Sequence, residues 1–500
     1  MRLGDLLTGL DQAIIHGNPD QEISGVRYDS RSVMPGDLFV AMSGQKADGH
    51  QFLDEAVRRG AAALLVKKDK LPIPKAGITV TEVPDTRKAL ALASNIFYGF
   101  PSRSMVLIGI TGTNGKTTSS YLIKGILEAA EKRVGLIGTI SYQMGGEQIP
   151  APHTTPESAD LQEILAKMRD RGIDYVVMEV SSHALEQDRV FGTAFDIALF
   201  TNLTQDHLDY HITMEEYFRA KLRLFQDLKP KGEIKIRGII NLDDPWGRQI
   251  IGEMKFPCLS YSLADKGDII ATECSVGSDG VSFTVVTPLG KFGIKSKLAG
   301  RHNLQNILAS IGVACAMDIP IKAIQEGIAS VKNVPGRLEK VSEGQDFEVF
   351  VDYAHTEDAL RNLLSAAKEI SRGKIITVFG CGGERDRGKR PKMGKVARDM
   401  SDIIIITSDN PRGEDPLVII EEIEQGISGL KRGRDYFVVE DRRSAIKMAV
   451  DLAIPGDTVI LAGKGHEDYQ IIGGKRLHFD DREVAKEAIR ERPSRQRGKP

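Results

Sequence analysis

The chain has 500 residues and a formal net charge of −2, with 67 Lys and Arg against 69 Asp and Glu. This balance gives no electrostatic basis for binding nucleic acid or a membrane surface. The four cysteines lack the C-x-x-C spacing of a zinc site and the density of a disulfide framework. No run of about 18 apolar residues and no secretory leader pattern occurs, so we expect a cytoplasmic protein with reduced thiols.

The first hundred residues alternate apolar and polar segments in a pattern typical of a small α/β domain. Strands are predicted over residues 38–42 and 61–66, and a helix over residues 85–97. A Phe-Pro-Ser segment at residues 100–102 predicts a linker to the next domain.

The segment 105–118, MVLIGITGTNGKTT, carries the strongest functional signal in the chain. Its apolar, β-branched start predicts a buried parallel strand, and a helical pattern follows the glycine turn. Backbone N–H groups of such a turn can approach an anion, and the helix N-terminus favours negative charge. We predict that Lys116 reaches the β- and γ-phosphates of a nucleoside triphosphate and that the Thr117 hydroxyl holds Mg²⁺. The turn is shorter than in the usual phosphate loop, because residue 110 is Ile.

Four further segments of the central region carry candidate residues. A strand over residues 174–178 ends on Glu179, and a carboxylate at this edge of a sheet predicts a Mg²⁺ ligand. Spacing alone singles out neither His207 nor Lys221, because a lysine in the middle of an amphipathic helix is typically solvated. The spacing of Asn303 and Asn306 places both amides on one face of a helix.

A second α/β pattern begins near residue 335. Its predicted strands are followed by three charged segments, at residues 384–390, 408–412 and 463–467. Because parallel sheets bind ligands at the carboxyl ends of their strands, we predict a second ligand site there. The chain is therefore expected to form three α/β domains, over residues 1–102, 103–334 and 335–500.

These motifs together resemble the Mur ligases, the ATP-dependent amide-forming enzymes of peptidoglycan synthesis. The matching segments are GTNGKT, HTTPES, EVSSHAL, NLTQDHLDYH, YFRAK, GRHNLQN, PGRLE, VDYAHT and GKGHEDYQ. The resemblance implies a central doubly wound P-loop ATPase domain between a small UDP-binding domain and a C-terminal Rossmann-like domain. Within the family, the chain is most similar to the ligases that add the third residue of the stem peptide.

The resemblance implies ATP and Mg²⁺ as cofactors and a monomeric enzyme without nucleic-acid or membrane partners. The implied catalytic residues are Lys116, Glu179, His207 and Lys221, and the implied metal ligands are Thr117, Glu179, His207 and Lys221 as a carbamate. The implied ATP-binding residues are Gly112, Thr113, Asn114, Gly115, Lys116, Thr117, Thr118, Asn303, Asn306, Arg337 and Asp352. Arg337 and Asp352 are expected to contact phosphate and ribose from the C-terminal domain.

The implied acceptor is UDP-N-acetylmuramoyl-L-Ala-D-Glu, with contacts from Tyr28, Ser30, Gln45, Lys46, Ala47, Thr154, Thr155, Ser181, Gln187 and Arg189. The implied site for the incoming amino acid consists of Arg385, Asp409, Asn410, Pro411, Arg412, Gly463 and Glu467. Asp-Asn-Pro-Arg is the version of this motif associated with meso-diaminopimelate. The distal carboxylate of that substrate can pair with a guanidinium, whereas lysine would leave Arg412 unpaired.

Three alternatives remain. The amino acid could be L-lysine within the same family. A folylpolyglutamate synthetase-like ligase would share the ATP chemistry, but the N-terminal UDP segment and residues 409–412 argue against it. A nucleotide-dependent switch or motor is a different class, and the chain lacks the guanine-reading Asn-Lys-x-Asp motif.

Overall fold

The computed structural model describes residues 1–10, 12–44, 47–70, 77–228, 234–264 and 266–492, and only the backbone of Asp209. Three sheets follow one another along the chain, with five, eleven and six strands, and a two-stranded hairpin is separate from them. Within this described part, no helix is long and apolar enough to cross a membrane.

The N-terminal unit contains a five-stranded sheet in the order β1-β5-β4-β3-β2. Strands β2 to β5 are parallel neighbours, and β1 pairs antiparallel to β5. The side chain of Asp85 caps the last helix by accepting hydrogen bonds from the N–H groups of Arg87 and Lys88. The elements are β1 (Ile14–His16), β2 (Gly25–Arg27), β3 (Asp37–Val40), β4 (Ala63–Lys67), β5 (Thr79–Val83), α1 (Leu3–Leu6), α2 (Leu53–Arg58) and α3 (Thr86–Phe97), with 3₁₀ turns at Ser30–Ser32, Gly49–Phe52 and Pro101–Ser104.

The central unit contains the eleven-stranded sheet. Its strands are β6 (Val106–Thr111), β7 (Val134–Ile137), β8 (Ser141–Met144), β9 (Glu147–Pro150), β10 (Tyr175–Glu179), β11 (Ile197–Phe200), β12 (Gly238–Asn241), β13 (Cys258–Ser262), β14 (Ile269–Gly277), β15 (Gly280–Thr287) and β16 (Gly290–Ser296). Its helices are α4 (Lys116–Ala129), α5 (Ser158–Asp170), α6 (Ser182–Glu186), α7 (Leu208–His211), α8 (Met214–Gln226), α9 (Pro245–Glu253), α10 (His302–Ala316) and α11 (Ile321–Ser330).

The central sheet has the strand order β16-β15-β14-β13-β12-β11-β6-β10-β7-β8-β9. Along this order, all neighbouring strands from β14 as far as β7 pair in parallel, and β6 lies between β10 and β11. Side chains of β6 alternate between two cores, since Ile108 and Ile110 pack on the side of α4, and Leu107 on the opposite side. The doubly wound prediction is correct for this centre. It missed the antiparallel hairpins that extend both edges.

Helices α4 and α11 approach each other closely at a pair of glycines. A Cβ atom at Gly327 would lie 2.3 Å from the Cα atom of Ile126, and one at Gly125 would lie 2.9 Å from the carbonyl oxygen of Gly327. No side chain fits between these backbones, so only glycine permits the contact.

The C-terminal unit contains the six-stranded sheet in the order β17-β18-β22-β19-β20-β21, which is parallel except for β17. We propose that the domain boundaries lie near residues 102 and 334, in segments between consecutive sheets. The elements are β17 (Glu339–Lys340), β18 (Glu348–Asp352), β19 (Ile375–Phe379), β20 (Ile403–Ile406), β21 (Tyr436–Val438), β22 (Thr458–Ala462), β23 (Tyr469–Ile472), β24 (Lys475–His478), α12 (Glu357–Ile370), α13 (Lys389–Met400), α14 (Pro416–Glu424), α15 (Arg442–Leu452) and α16 (Asp481–Glu491).

Candidate active site

The phosphate loop between β6 and α4 has a backbone path that only glycine allows. Gly112 has φ +146°, and a Cβ atom there would lie 1.9 Å from the hydroxyl oxygen of Thr201. Gly115 has φ +86°, and its Cβ atom would lie 2.3 Å from Oδ1 of Asn306. The loop is further fixed by the Thr201 hydroxyl, which donates to the carbonyl oxygen of Asn114 at 2.6 Å. The loop is therefore preorganised for an anion at the N-terminus of α4.

Two lysines donate to the same carbonyl oxygen of this loop. Lys116 Nζ lies 2.9 Å from the carbonyl oxygen of Gly112 and 2.8 Å from that of Thr113. Lys221 Nζ, on α8, also lies 2.9 Å from the Gly112 oxygen. Burial lowers the pKa of Lys116, and the charges of Glu179 and Asp206 oppose this effect.

Lys221 is almost completely buried, with 1% of its surface exposed. Its position in the middle of a helix suggests a solvated side chain, and that interpretation is wrong. Its Nζ atom lies 4.4 Å from the ring centre of Tyr217. Desolvation and the nearby charge of Lys116 hold the pKa of Lys221 well below its usual range. A lower pKa eases loss of the proton, and the uncharged amine is the form that reacts with carbon dioxide to give a carbamate.

Thr117 and Glu179 lie together beneath the loop. The Thr117 hydroxyl donates to Glu179 Oε2 at 2.9 Å, and Glu179 is fully buried. Thr139 donates to both carboxylate oxygens, from its N–H group at 3.0 Å and from its hydroxyl at 2.9 Å. A hydroxyl and a fixed carboxylate are oxygen ligands of the kind that Mg²⁺ prefers, so these residues fit the ion.

His207 lies on the loop between β11 and α8, and 44% of its side chain is exposed. Its ring packs edge-on to His183, with 4.7 Å between ring centres, and its Nε2 atom lies 3.4 Å from Asp206 Oδ2. Partial desolvation lowers the pKa of His207, and Asp206 opposes this. Among the described residues, no three His, Cys, Asp or Glu side chains converge as a metal site. Within this part of the chain, the structure thus pairs Thr117 with Glu179 but forms no cluster of three such side chains around them.

The two asparagines of α10 face the phosphate loop from the side of the predicted base site. Asn306 Nδ2 donates to Asn303 Oδ1 at 2.9 Å, and Asn303 Nδ2 donates to the carbonyl oxygen of Ala299 at 2.7 Å. Both are buried, as is Thr118 on the facing turn of α4. The spacing argument that placed both amides on one face is consistent with this contact.

Arg337 connects the C-terminal unit to the phosphate loop. Its guanidinium donates to the Thr117 hydroxyl at 3.3 Å and lies 4.9 Å from the ring centre of Tyr353. Asp352 ends β18 and accepts hydrogen bonds from the N–H groups of Leu338 at 2.7 Å and Ala354 at 2.8 Å. Burial raises the pKa of Asp352, and Arg337 opposes this. The two residues therefore lie next to each other across from the phosphate loop.

Four of the predicted acceptor residues form one network at the end of β10. The Thr155 hydroxyl donates to the carbonyl oxygen of Glu179 at 2.9 Å and accepts from the N–H of Ser181 at 3.0 Å. Arg189 donates to the carbonyl oxygen of Thr155 at 3.2 Å and to Gln187 Oε1 at 2.7 Å. This network adjoins the Thr117–Glu179 pair, so an acceptor held there would lie beside the phosphate loop. Thr154 also contributes, because its hydroxyl lies 3.1 Å from that of Thr139.

The remaining predicted acceptor residues lie in the N-terminal unit. Tyr28 donates from its hydroxyl to Asp160 Oδ2 at 2.6 Å, which joins this unit to the central one. Ser30 donates to Glu55 Oε2 at 2.9 Å, and Ala47 is exposed. Gln45 and Lys46 lie outside the described residues.

Arg412 is held rigidly in the C-terminal unit. Its backbone has φ +55°, and its N–H donates to the carbonyl oxygen of Ile471 at 2.9 Å. Its Nη1 atom donates to the carbonyl oxygens of Gly383 at 2.7 Å and Asn410 at 3.3 Å. In the described part of the chain, no carboxylate forms an ion pair with this half-buried guanidinium. It is therefore available for the carboxylate of a ligand.

A set of carboxylates lies at the adjoining strand ends. Oδ2 of Asp409 is buried without a hydrogen-bond partner, and a Cβ atom at Gly463 would lie 2.6 Å from it. Glu467 Oε2 accepts from Asn410 Nδ2 at 2.9 Å, and burial raises the pKa of Glu467. Pro411 is buried, whereas Arg385 is exposed and donates to the carbonyl oxygen of Glu384 at 3.3 Å.

Sequence reasoning missed several residues that support these groups. Thr139 follows β7 and holds Glu179, and Tyr217 lies under Lys221 with its hydroxyl 3.1 Å from that of Thr113. Asp358 at the start of α12 accepts from the Thr204 hydroxyl at 2.8 Å and so bridges two units. Lys464 lies within the GKGHEDYQ motif, and the pattern of that motif carries no sign of its burial.

Three family matches occur in order along the chain. Residues 22–98 match the Mur ligase family catalytic domain, residues 110–314 the Mur ligase middle domain, and residues 336–465 the Mur ligase glutamate ligase domain. The order agrees with the three sheets and with the resemblance found from the motifs.

Curated relatives match over the full length. The UDP-N-acetylmuramoyl-L-alanyl-D-glutamate–2,6-diaminopimelate ligase of Geobacter metallireducens is 48% identical over 513 residues and covers 100% of both chains. The ligase of the same name from Syntrophomonas wolfei is 47% identical over 490 residues, covering 98% of this chain and 99% of its own.

Solved structures agree on the fold and the family. A structure of a ligase with this same name has a TM-score of 0.68 and 34% identity, covering 98% of this chain and 99% of its own. At 19% identity, MurF from Acinetobacter baumannii shares the fold with a TM-score of 0.66, covering 92% of this chain and 95% of its own. These findings confirm the predicted three-domain α/β architecture. The chain belongs to the Mur ligase family.

Proposed function

We propose that this protein is an ATP-dependent ligase that joins meso-diaminopimelate to the D-Glu carboxylate of UDP-N-acetylmuramoyl-L-Ala-D-Glu during peptidoglycan precursor synthesis. The observation that carries the proposal is the amino-acid site in a chain 48% identical to a ligase of that name. There, Arg412 lacks a carboxylate partner among the described residues, and Asp409 has a buried oxygen without a hydrogen bond. A guanidinium and carboxylates side by side suit an amino acid that carries both charges at its distal end.

The reaction brings together two anionic groups, the acceptor carboxylate and the γ-phosphate of ATP. The acceptor carboxylate attacks the γ-phosphorus of ATP, which gives an acyl phosphate and ADP. The substrate amine then attacks the acyl carbon and loses a proton, and inorganic phosphate leaves. Lys116 and Arg337 are proposed to stabilise charge that gathers on the transferred phosphoryl group, which their contacts at the phosphate loop support.

Mg²⁺ would supply further positive charge at the phosphates, held by Thr117 and Glu179. His207 is proposed to complete the ligand set, together with Lys221 after its conversion to a carbamate. The lowered pKa of Lys221 supports that conversion, because carbon dioxide reacts with the uncharged amine. Thr155, Ser181, Gln187 and Arg189 are proposed to hold the acceptor peptide beside these groups, and Asn303 and Asn306 to face the adenine.

We propose a cytoplasmic location and a monomeric state for the enzyme, since ATP and nucleotide-linked sugars are cytoplasmic substrates. Arg337 contacts Thr117 across two units of the chain, which supports a reaction that requires these units to be closed together.

The decisive test is phosphate release with ATP, Mg²⁺ and the UDP-linked acceptor, offering meso-diaminopimelate and L-lysine in parallel. We expect release with meso-diaminopimelate and little with lysine. A preference for lysine would favour the lysine-adding branch of the family. Phosphate release without any acceptor would instead favour a nucleotide-dependent switch or motor.

A further inference from the structure

We propose that Lys464 is a positioning residue of the amino-acid site: its buried ammonium keeps Glu467 ionised for binding the ammonium group of the incoming amino acid and helps to orient the Asn410 amide that donates to Glu467. This inference rests on the proposed function. Lys464 is outside the set of residues that the family resemblance assigned to the ligand.

Lys464 is fully buried, with 0% of its side chain exposed. It follows β22 in a turn between Gly463 at φ +117° and Gly465 at φ +54°. A Cβ atom at Gly465 would lie 2.6 Å from Cβ of Tyr353, so the turn must pack closely and directs the intervening side chain inward. An ammonium taken out of water costs several kcal/mol unless polar partners compensate for it. The identity of its partners therefore shows what the charge does.

The partners of Lys464 are two residues of the predicted ligand site. Its Nζ atom lies 3.5 Å from Glu467 Oε2 and 3.4 Å from Asn410 Oδ1. The same Asn410 oxygen accepts from the N–H of Ile471 at 2.9 Å, while Asn410 Nδ2 donates to Glu467 Oε2 at 2.9 Å. Because two donors face the amide oxygen, the amide nitrogen must face Glu467. Lys464 and the Ile471 N–H thus orient Asn410 together.

The charge on Glu467 depends on a small group of neighbours. Burial raises its pKa, and Asp409 raises it further, whereas Lys464 is the largest opposing charge. The other groups facing it are the hydroxyls of Tyr353 and Tyr469 and the guanidinium of Arg442. Arg442 is compensated by Asp481, with Nη2 and Oδ2 2.6 Å apart. Without Lys464, Glu467 would face Asp409 with little compensation and would take up a proton.

The resulting charge suits an ammonium ligand. Asp409 and Glu467 together carry two negative charges, and Lys464 reduces the sum to one. A single incoming ammonium group can then neutralise the site, with Asp409 Oδ2 still available as an acceptor. Two uncompensated carboxylates at this depth would instead share a proton and bind an ammonium group weakly.

The test compares Lys464→Met with the unmodified protein. Methionine is an unbranched side chain of nearly the same length without the charge. We expect KM for meso-diaminopimelate at pH 7 to rise at least about tenfold, because a protonated Glu467 no longer attracts the ammonium group of the substrate. The increase should shrink as pH rises and Glu467 loses its proton. The KM values for ATP and for the UDP-linked acceptor should stay unchanged, and kcat should change less than KM.

Three further variants separate positioning from a general structural effect. Lys464→Arg keeps the charge and should recover part of the affinity. Glu467→Gln should make Lys464→Met nearly neutral for KM, because the lysine then has no carboxylate to act on. Lys447→Met removes an exposed lysine paired with Glu491 and should leave KM unchanged.

A ligand-independent measurement keeps the inference testable apart from the proposed function. In the infrared spectrum at pH 7, Lys464→Met should show the C=O stretch of a protonated carboxyl group, and the Lys464→Met/Glu467→Gln variant should lack it. If Lys464→Met alone does not fold, the double variant, which lacks both charges, takes its place. It is then compared with Lys464→Arg, which keeps the charge at position 464. Absence of the band with an unchanged pH profile of KM would overturn the inference. Failure of the unmodified protein to release phosphate would overturn the proposed function alone.

Discussion

Two lysines of this molecule are buried to the same degree but have opposite surroundings. Lys221 beneath the phosphate loop has a carbonyl oxygen and a tyrosine ring as partners, and a second lysine donates to the same carbonyl oxygen. Lys464 beneath the amino-acid site lies beside Glu467. Desolvation and the charge of Lys116 lower the pKa of Lys221, with Asp206 opposing them, whereas the lysine beside a carboxylate serves as a fixed charge. The comparison shows that the neighbours decide the chemistry of a buried amine.

The largest effect is expected where the buried amine is proposed to become a metal ligand. Lys221→Ala should lower kcat by about 10²–10³, because one charge-stabilising group near the phosphates is lost. Lys221→Glu, or acetate added to the alanine variant, should restore part of the activity by supplying a carboxylate oxygen. Steady-state phosphate release measures this, with Lys124→Ala, at a partly exposed lysine paired with Glu128 on α4, as the control. Full activity in Lys221→Ala would remove Lys221 from the mechanism.

The second prediction concerns the carboxylate-binding part of the amino-acid site. Arg412→Lys should reduce the preference for meso-diaminopimelate over L-lysine by about 100-fold, because an ammonium cannot pair with a carboxylate in the bidentate manner. The ratio of the two kcat/KM values measures this. Arg387→Lys, at an exposed arginine paired with Glu422, is the control. An unchanged ratio would mean that another residue reads the distal carboxylate.

The third prediction concerns the hydrogen bond between Thr204 of the central unit and Asp358 of the C-terminal unit. Asp358→Ala removes the acceptor of the Thr204 hydroxyl and should lower kcat several-fold by weakening closure, without changing ADP affinity. Small-angle X-ray scattering should show a larger radius of gyration for this variant. Glu357→Ala, one residue earlier and paired with Arg361, should have neither effect. Equal dimensions in the two variants would count against Asp358 as a domain contact.

The smallest effect is expected at the support of the amino-acid site. A hydrogen bond from Arg390 lowers the pKa of Glu414 to about 2. Since this value is depressed on folding, the stabilisation is present above the usual range of a glutamate and is lost as pH falls from about 4.5 towards 2. Glu414→Gln should therefore lower the urea midpoint at pH 7, and the difference should shrink in that window. A difference that is constant with pH would exclude this pair as its source.

The sequence predicted the elements that are locally encoded. The strand, glycine turn and helix around Lys116 occur as expected, and the helix predicted over residues 85–97 is α3 (Thr86–Phe97). Their signals lie in hydrophobic runs and in turn residues a few positions apart. The family motifs likewise led to the fold class and the family, both of which the comparisons confirm.

The rest depends on contacts between distant segments. Lys221 donates to the carbonyl oxygen of Gly112, which is 109 residues away in the chain. Lys464 likewise contacts Asn410, which follows a different strand of the C-terminal sheet. The spacing of residues on one helix carries no information about such partners. For the same reason, the role of Thr139 beside Glu179, 40 residues away, could be seen only in the folded chain.

The glycine contact between α4 and α11 has a consequence for the phosphate loop. Gly125 lies roughly 14 Å along α4 from Lys116, at about 1.5 Å per residue. Gly327 lets the backbone of α11 pack directly against α4. This contact holds the C-terminal part of α4 in place, and we expect it to limit tilting of the helix N-terminus. A single methyl group at Gly327 would push the helix axis aside and misalign the anion-binding N–H groups. We therefore expect nucleotide affinity to be sensitive to a buried glycine that lies outside the phosphate loop.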